Sequence, residues 1–308
     1  MTADTVWTVG GTLLAMSRPS QVLLIGVVYA AGVAVARAAG DVDPVAVLIG
    51  LIALVLVAAS VHYANEFADA ETDAITRRTP FSGGSGALAR SGLARNVALV
   101  AAAVSGGAGL AVGGLGLAAG TLPAVGFSLL VIGAVGGWAY SLPPAAALNR
   151  HGLGEIANAV LGGLLLPAFG YAVAAGSLPA WVIAAFVPFA LVDFSSVMAT
   201  AWPDRAADVR VGKRTLVTRS SPRSLRRAQM ASLALAGILS VAYVERIVPL
   251  TIGVASLVVA PLAVTAAARF TRVESPLWSV ATMVALIAVL LIGWALVPPG
   301  SWMASART

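Results

Sequence analysis

The chain contains no cysteine and only two histidines, His62 and His151, among 308 residues. Disulfides, thiolate catalysis and cysteine-ligated zinc or iron–sulfur sites are therefore excluded, and a multi-histidine metal site has too few ligands to form. Charge is equally scarce: Asp, Glu, Lys and Arg together make up 10% of the sequence, whereas 59% is hydrophobic and mean hydropathy is +0.93. No soluble domain of this length needs so much apolar side chain. The composition specifies an integral membrane protein. The net charge of +6 would suggest nucleic acid in a soluble chain, but here the basic residues map onto membrane topology instead, and no nucleic-acid partner is expected.

A membrane-crossing helix needs about 20 apolar residues. Runs of this kind occupy residues 19–39, 44–65, 95–115, 119–141, 155–176, 179–202, 226–244, 247–268 and 276–297. They are separated by Gly/Pro/Asp clusters such as Gly40-Asp41-Val42-Asp43-Pro44 or by charged stretches. The expected fold is all-α, a polytopic bundle of nine helices forming one domain over 1–308. Basic residues fall on one side of this arrangement: Arg18, then Arg77, Arg78, Arg90 and Arg95, then Arg150, then the run from Arg205 to Arg227, then Arg269 and Arg272. The opposite side holds only Arg37, Arg246 and Arg307. By the positive-inside rule the N-terminus and the long loops at 66–94 and 203–225 are cytoplasmic, and the C-terminus is outside. The expected location is the plasma membrane, with lipid as solvent.

The few acidic residues are gathered. Asn65-Glu66-Phe67-Ala68-Asp69-Ala70-Glu71-Thr72-Asp73 closes the second run, and Pro203-Asp204-Arg205-Ala206-Ala207-Asp208 closes the sixth. Asn65, Asp69 and Asp73 recur every four residues and so share one helix face; Asp204 and Asp208 form a second such pair. Both clusters fall on the cytoplasmic side. Carboxylates at this density suit Mg²⁺, which keeps several waters and takes phosphate oxygens as remaining ligands. Two facing pairs could hold two ions and a diphosphate. Arg77, Arg78, Lys213 and Arg214 lie close in sequence and suit phosphate oxygens as partners.

Four stretches carry a resemblance. Ser17-Arg18-Pro19 opens the first run. Asn65-x-x-x-Asp69-x-x-x-Asp73 is followed by Arg78-Thr79-Pro80-Phe81-Ser82-Gly83-Gly84-Ser85-Gly86. Tyr140-Ser141-Leu142-Pro143-Pro144 precedes Gly152-Leu153-Gly154-Glu155. Asp204-x-x-x-Asp208 precedes Gly212-Lys213-Arg214-Thr215-Leu216. In this combination the chain resembles the UbiA superfamily of intramembrane prenyltransferases, and within it the menaquinone-pathway naphthoate branch. The resemblance implies nine helices around a central cavity with a cytoplasmic cap. It implies Mg²⁺-dependent transfer of an isoprenoid chain from its diphosphate to an aromatic, quinone-precursor-like acceptor. Matched by position, Asn65, Asp69, Asp73, Asp204 and Asp208 would bind Mg²⁺-diphosphate, Lys213 would stand where the family has a basic residue, and Tyr140 would reach the diphosphate. Glu66 replaces the usual aspartate with charge retained. Thr200 and Ala201 stand where naphthoate enzymes often carry paired asparagines, which weakens naphthoate as the acceptor.

Asp193 lies within the sixth run, 11 residues before Asp204 and on nearly the same helix face. A carboxylate at that depth faces a cavity or a partner; it could orient an acceptor, take its proton, or only join helices. His62, seven residues before Asp69 and on roughly its face, could contact an acceptor or serve as a base, but reads first as a packing residue. Two other functions fit the same features. A terpene cyclase on this scaffold would need no acceptor, and a proton-coupled transporter would use Asp193 without Mg²⁺.

Overall fold

The computed structural model describes residues 3–76, 84–142 and 148–302, with side chains from residue 9 onward. The described residues form a helical bundle. In chain order the helices are α1 (Ala3–Met16), α2 (Pro19–Ala39), α3 (Pro44–Ile75), α4 (Ala87–Ser91), α5 (Asn96–Ala118), α6 (Ala124–Ser141), α7 (Gly154–Val160), α8 (Leu166–Ala175) and α9 (Ala180–Ala201). They continue with α10 (Arg205–Arg210), α11 (Leu216–Arg219), α12 (Pro222–Ala242), α13 (Leu250–Ser256), α14 (Ala260–Arg269) and α15 (Leu277–Leu296). A π turn, Leu161–Leu165, joins α7 to α8 into one crossing, and a 3₁₀ turn, Leu257–Val259, joins α13 to α14.

All nine expected spans have a helix, but among the described residues eight are long and apolar enough to cross a membrane on length and composition. The exception is α12. It is 21 residues long, but its first turns carry Arg223, Arg226 and Arg227, and Gln229 and Ser232 are buried inside it. These polar groups dilute the apolar stretch. Two further differences bear on function. The helix α3 does not stop at 65 but runs on to Ile75, because Ala is the commonest residue in 64–75 and no Gly or Pro interrupts the stretch. The short helices α1, α4, α10 and α11 gather at the bundle end that carries the acidic clusters, where α1 packs on α3, α4 and α5 and α10 on α3.

The central contacts are made by small residues. Helix α2 packs against α8 and α15, and α3 against α5. Gly32 lies against the carbonyl oxygen of Pro167, and Gly170 against that of Tyr29, so tightly that a methyl group at either would overlap the opposing backbone. Such contact gains dispersion energy where apolar burial gives no drive between helices in lipid. Hydroxyls add polar clips: Trp138 Nε1 donates to Ser60 Oγ at 2.9 Å, Ser60 Oγ to the Ala102 carbonyl at 2.7 Å, and the Tyr29 hydroxyl to the Val47 carbonyl at 2.8 Å. Arg37 donates to the carbonyls of Ala295 and Val297 and so ties α2 to the end of α15. Outward-facing positions such as Leu23, Val104, Leu115 and Val258 are exposed, as a lipid-facing surface requires.

Candidate active site

The continuity of α3 carries the first acidic cluster past the apolar stretch as rigid helix. Asn65, Asp69 and Asp73 consequently share a face, and Asn65 Oδ1 accepts a hydrogen bond from Ser141 Oγ of α6 at 3.2 Å. The second cluster comes from α10, where Asp204 occupies the N-cap and Asp208 is buried one turn later. After α10 the chain turns at Gly212, and the Lys213 amide donates to the Asp208 carbonyl at 2.9 Å. Thr215 then caps α11 through the Thr218 amide. This turn aims Lys213 inward and leaves Arg214 exposed.

The two signatures meet at Lys213. Its Nζ lies 2.7 Å from Asp69 Oδ1 and 3.3 Å from Asp208 Oδ1, and Lys213 and Asp208 are both buried. Burial pushes the Asp208 carboxyl above its ordinary range; Lys213 draws it back in part, while Asp69 and Glu155 add to the rise. For Lys213, burial acts to lower the pKa, but Asp69 and Asp208 outweigh it and hold the ammonium above its usual value. Tyr140 on α6 lies in the field of Asp69, Glu155 and Asp208, with Asn158 of α7 beside it. Asp73 faces the backbone of Gly84, whose positive φ of 61° and missing side chain leave room for the carboxylate.

Of the positions expected from sequence, the fold therefore brings Asn65, Asp69, Asp73, Tyr140, Asp204, Asp208 and Lys213 to one end of the bundle. It turns Arg214 outward, with its amide on the Arg150 carbonyl at 3.2 Å. Asp193 sits deeper, within α9. Arg77 and Arg78 lie outside the described residues.

Glu66 has a role that charge conservation alone does not convey. It is 3% exposed and accepts from Arg18 Nε at 3.1 Å and Nη2 at 2.6 Å, from the Ser85 amide at 2.8 Å and from Ser85 Oγ at 2.7 Å. It thereby fastens the α1–α2 junction and the 84–86 loop to α3. The Ser-Arg-Pro motif was the available signal, because Arg18 takes a left-handed conformation, with φ 52°, that only tertiary contacts sustain. Glu155 similarly accepts the Val217 amide at 3.2 Å and fixes α11. His62, read as a packing residue, keeps a buried Nε2 without a hydrogen-bond partner. Glu66→Ala should lower stability by about 3 kcal/mol, because removing one partner of a buried pair strands the other. A fall in the thermal unfolding midpoint in detergent, larger than that of Glu66→Gln, checks this; equal midpoints for wild type and Glu66→Ala would refute it.

The site's oxygens suit a hard divalent cation. Asp69 and Asp208 already converge on one cation, the Lys213 ammonium, so carboxylates from the two signatures can share a charge. Among the described residues no three acidic or histidine side chains enclose a metal position by themselves. Mg²⁺ binds through one or two carboxylates and completes its octahedron with water and phosphate.

The comparisons agree with this fold. The profile of the UbiA prenyltransferase family matches residues 24–283. A solved structure described as digeranylgeranylglyceryl phosphate synthase in membranes superposes with a TM-score of 0.66 at 17% identity, covering 93% of this chain and 99% of its own. A UbiA homolog from Archaeoglobus fulgidus bound to GPP and Mg²⁺ gives 0.64 at 19% identity, with 92% and 99% coverage. The apo UbiA homolog from Aeropyrum pernix K1 gives 0.67 at 16%, with 92% and 97%. No curated protein matches the chain. With the matched profile extending over most of its length, the chain belongs to the UbiA prenyltransferase family.

Proposed function

We propose that this membrane prenyltransferase uses Mg²⁺ to transfer an isoprenoid chain from its diphosphate to a ring carbon of an aromatic acceptor of the phenol or hydroquinone kind. The observation that carries the reading is the meeting of the two acidic signatures at Lys213. Binding of GPP and Mg²⁺ by the Archaeoglobus homolog supports the same ligands here.

Asn65, Asp69, Asp73, Asp204 and Asp208 would hold the metal. When bound, Mg²⁺ supplies charge neutralisation for the departing diphosphate. Lys213, freed from Asp69 and Asp208, would pair with diphosphate oxygens, and Tyr140 would donate a hydrogen bond to them. Arg77, Arg78 and Arg214 would serve the same anion at the entrance. The allylic C–O bond breaks with its electron pair leaving on the diphosphate oxygen. A π pair of the ring forms the new C–C bond to the cationic carbon, and the ring then loses its proton. Surrounding helices exclude water that would quench the cation. The positive-inside pattern supports a cytoplasmic active site in the plasma membrane.

The test is an acceptor screen with purified full-length protein, Mg²⁺ and labelled prenyl diphosphates of several lengths, scored by product mass. Acceptor-dependent products carrying one prenyl group are expected. Cyclised hydrocarbon formed without any acceptor would replace this reading with that of a terpene cyclase.

A further inference from the structure

Asp193 is 8% exposed and lies in the middle of α9, within the membrane-crossing part of the bundle. A carboxyl there is costly unless something binds it. Among the described residues no ion pair or side-chain hydrogen bond reaches it, so it is not the polar link between helices that such residues often provide. Its Oδ2 faces the π turn of the fifth crossing. A methyl group on Gly162 would lie 3.1 Å from Asp193 Oδ2 and 3.7 Å from Asn158 Oδ1. Two hydrogen-bond acceptors thus crowd the α-carbon of Gly162, and the missing side chain is what lets the Asp193 carboxyl approach the turn. π turns are frequent at functional sites.

This spot is connected to the acidic site. Asn158 neighbours Tyr140, which lies in the field of Asp69 and Asp208. On α9 itself, Asp193, Ser196 and Thr200 share a face that climbs toward Asp204. A polar line therefore runs from the acidic end into the bundle and stops at an unsatisfied carboxyl. Asp193 lies eight residues before the end of α9 at Ala201, about 12 Å below it at helical spacing.

We propose that Asp193 and Asn158, which converge beside Gly162, bind a hydroxyl of the acceptor, and that the acceptor is an uncharged hydroxylated ring and not a carboxylated one. The inference rests on the transferase reading above. A hydroxyl satisfies the buried carboxyl by donating to it. A second carboxylate in the same low-dielectric position would repel it, since neighbouring carboxylates do not both ionise without a counter-charge. The cations of the acidic end are committed elsewhere, the half-buried Arg18 to Glu66 and the buried Lys213 to Asp69 and Asp208 or to the diphosphate that replaces them.

The test uses full-length protein in nanodiscs with Mg²⁺ and geranyl diphosphate, and compares 2,3-dimethylhydroquinone with 2,5-dihydroxybenzoate as acceptors. Wild type is expected to favour the uncharged ring by at least about 10-fold in kcat/KM, as a site built for a hydroxyl discriminates strongly. Asp193→Asn should reduce that preference. Asp193→Leu and Gly162→Ala should each raise the hydroquinone KM by about 10-fold or more, with the KM for geranyl diphosphate unchanged within about twofold. Preference for the carboxylated ring, or acceptor KM values that the three variants leave unmoved, would overturn the assignment. So would Mg²⁺-dependent geranyl diphosphate binding without transfer to either ring. Cyclised hydrocarbon from geranyl diphosphate alone would instead overturn the transferase reading beneath it.

Discussion

Asp208→Ala and Asp69→Ala are each expected to reduce kcat by about 10³-fold at saturating prenyl diphosphate, the scale of losing one preorganised electrostatic contact to the leaving group. That corresponds to about 4 kcal/mol of transition-state stabilisation. The loss has two sources. Each variant removes a carboxylate from the face where the metal-held diphosphate would sit, and each alters the charge around Lys213, which is buried between both. The double variant should cost much less than the sum of the two, because both side chains act on one cation position. Steady-state product formation for the two single variants and the double measures this. A single-variant loss below about 10-fold would mean that the two clusters do not form one site.

Removal of the metal should be as severe and, unlike mutation, reversible. Dialysis against EDTA is expected to bring product formation to background, and added Mg²⁺ should restore it. Fold should survive: the thermal unfolding midpoint of the chelated protein should stay within a few degrees of the loaded one. The reason is Lys213, which neutralises Asp69 and Asp208 when no other cation does. Small metal-dependent domains that lack such an internal cation unfold on chelation. Burial raises the Asp208 pKa, so protons compete with Mg²⁺ more effectively as pH falls, and the Mg²⁺ needed for half-maximal activity should increase toward acid pH. Full activity in EDTA would exclude a metal-held leaving group.

Much of this architecture was legible in the sequence because its signals are local. Span positions follow from apolar length, and the Asn65-Asp69-Asp73 face follows from a spacing that α3 preserves to Ile75. What could not be read depends on contacts between distant segments. The sequence places Lys213 and Arg214 side by side as equal candidates, and only the turn at Gly212 decides that one points in and the other out. Glu66 reads as a conservative replacement, whereas its partners Arg18 and Ser85 come from two other segments. The helix α1 is too short to read as a span, and α12 reads as one despite its arginines. The close approach of Asp193 to Gly162 is invisible in sequence, since it depends on the lack of a side chain on another helix.

The π turn at Leu161–Leu165 also acts as a change of gauge. Each such turn admits an extra residue, and one residue rotates everything beyond it by about 100° relative to a regular helix. Before the turn, Asn158 answers to Tyr140; after it, Gly170 answers to Tyr29. One continuous crossing thereby serves two neighbours whose demands a regular helix would set against each other. A helical wheel drawn through the whole crossing will misplace one half. Deleting a single residue from 161–165 would force a choice: either the chemistry keeps its partner or the α2–α8 seam does.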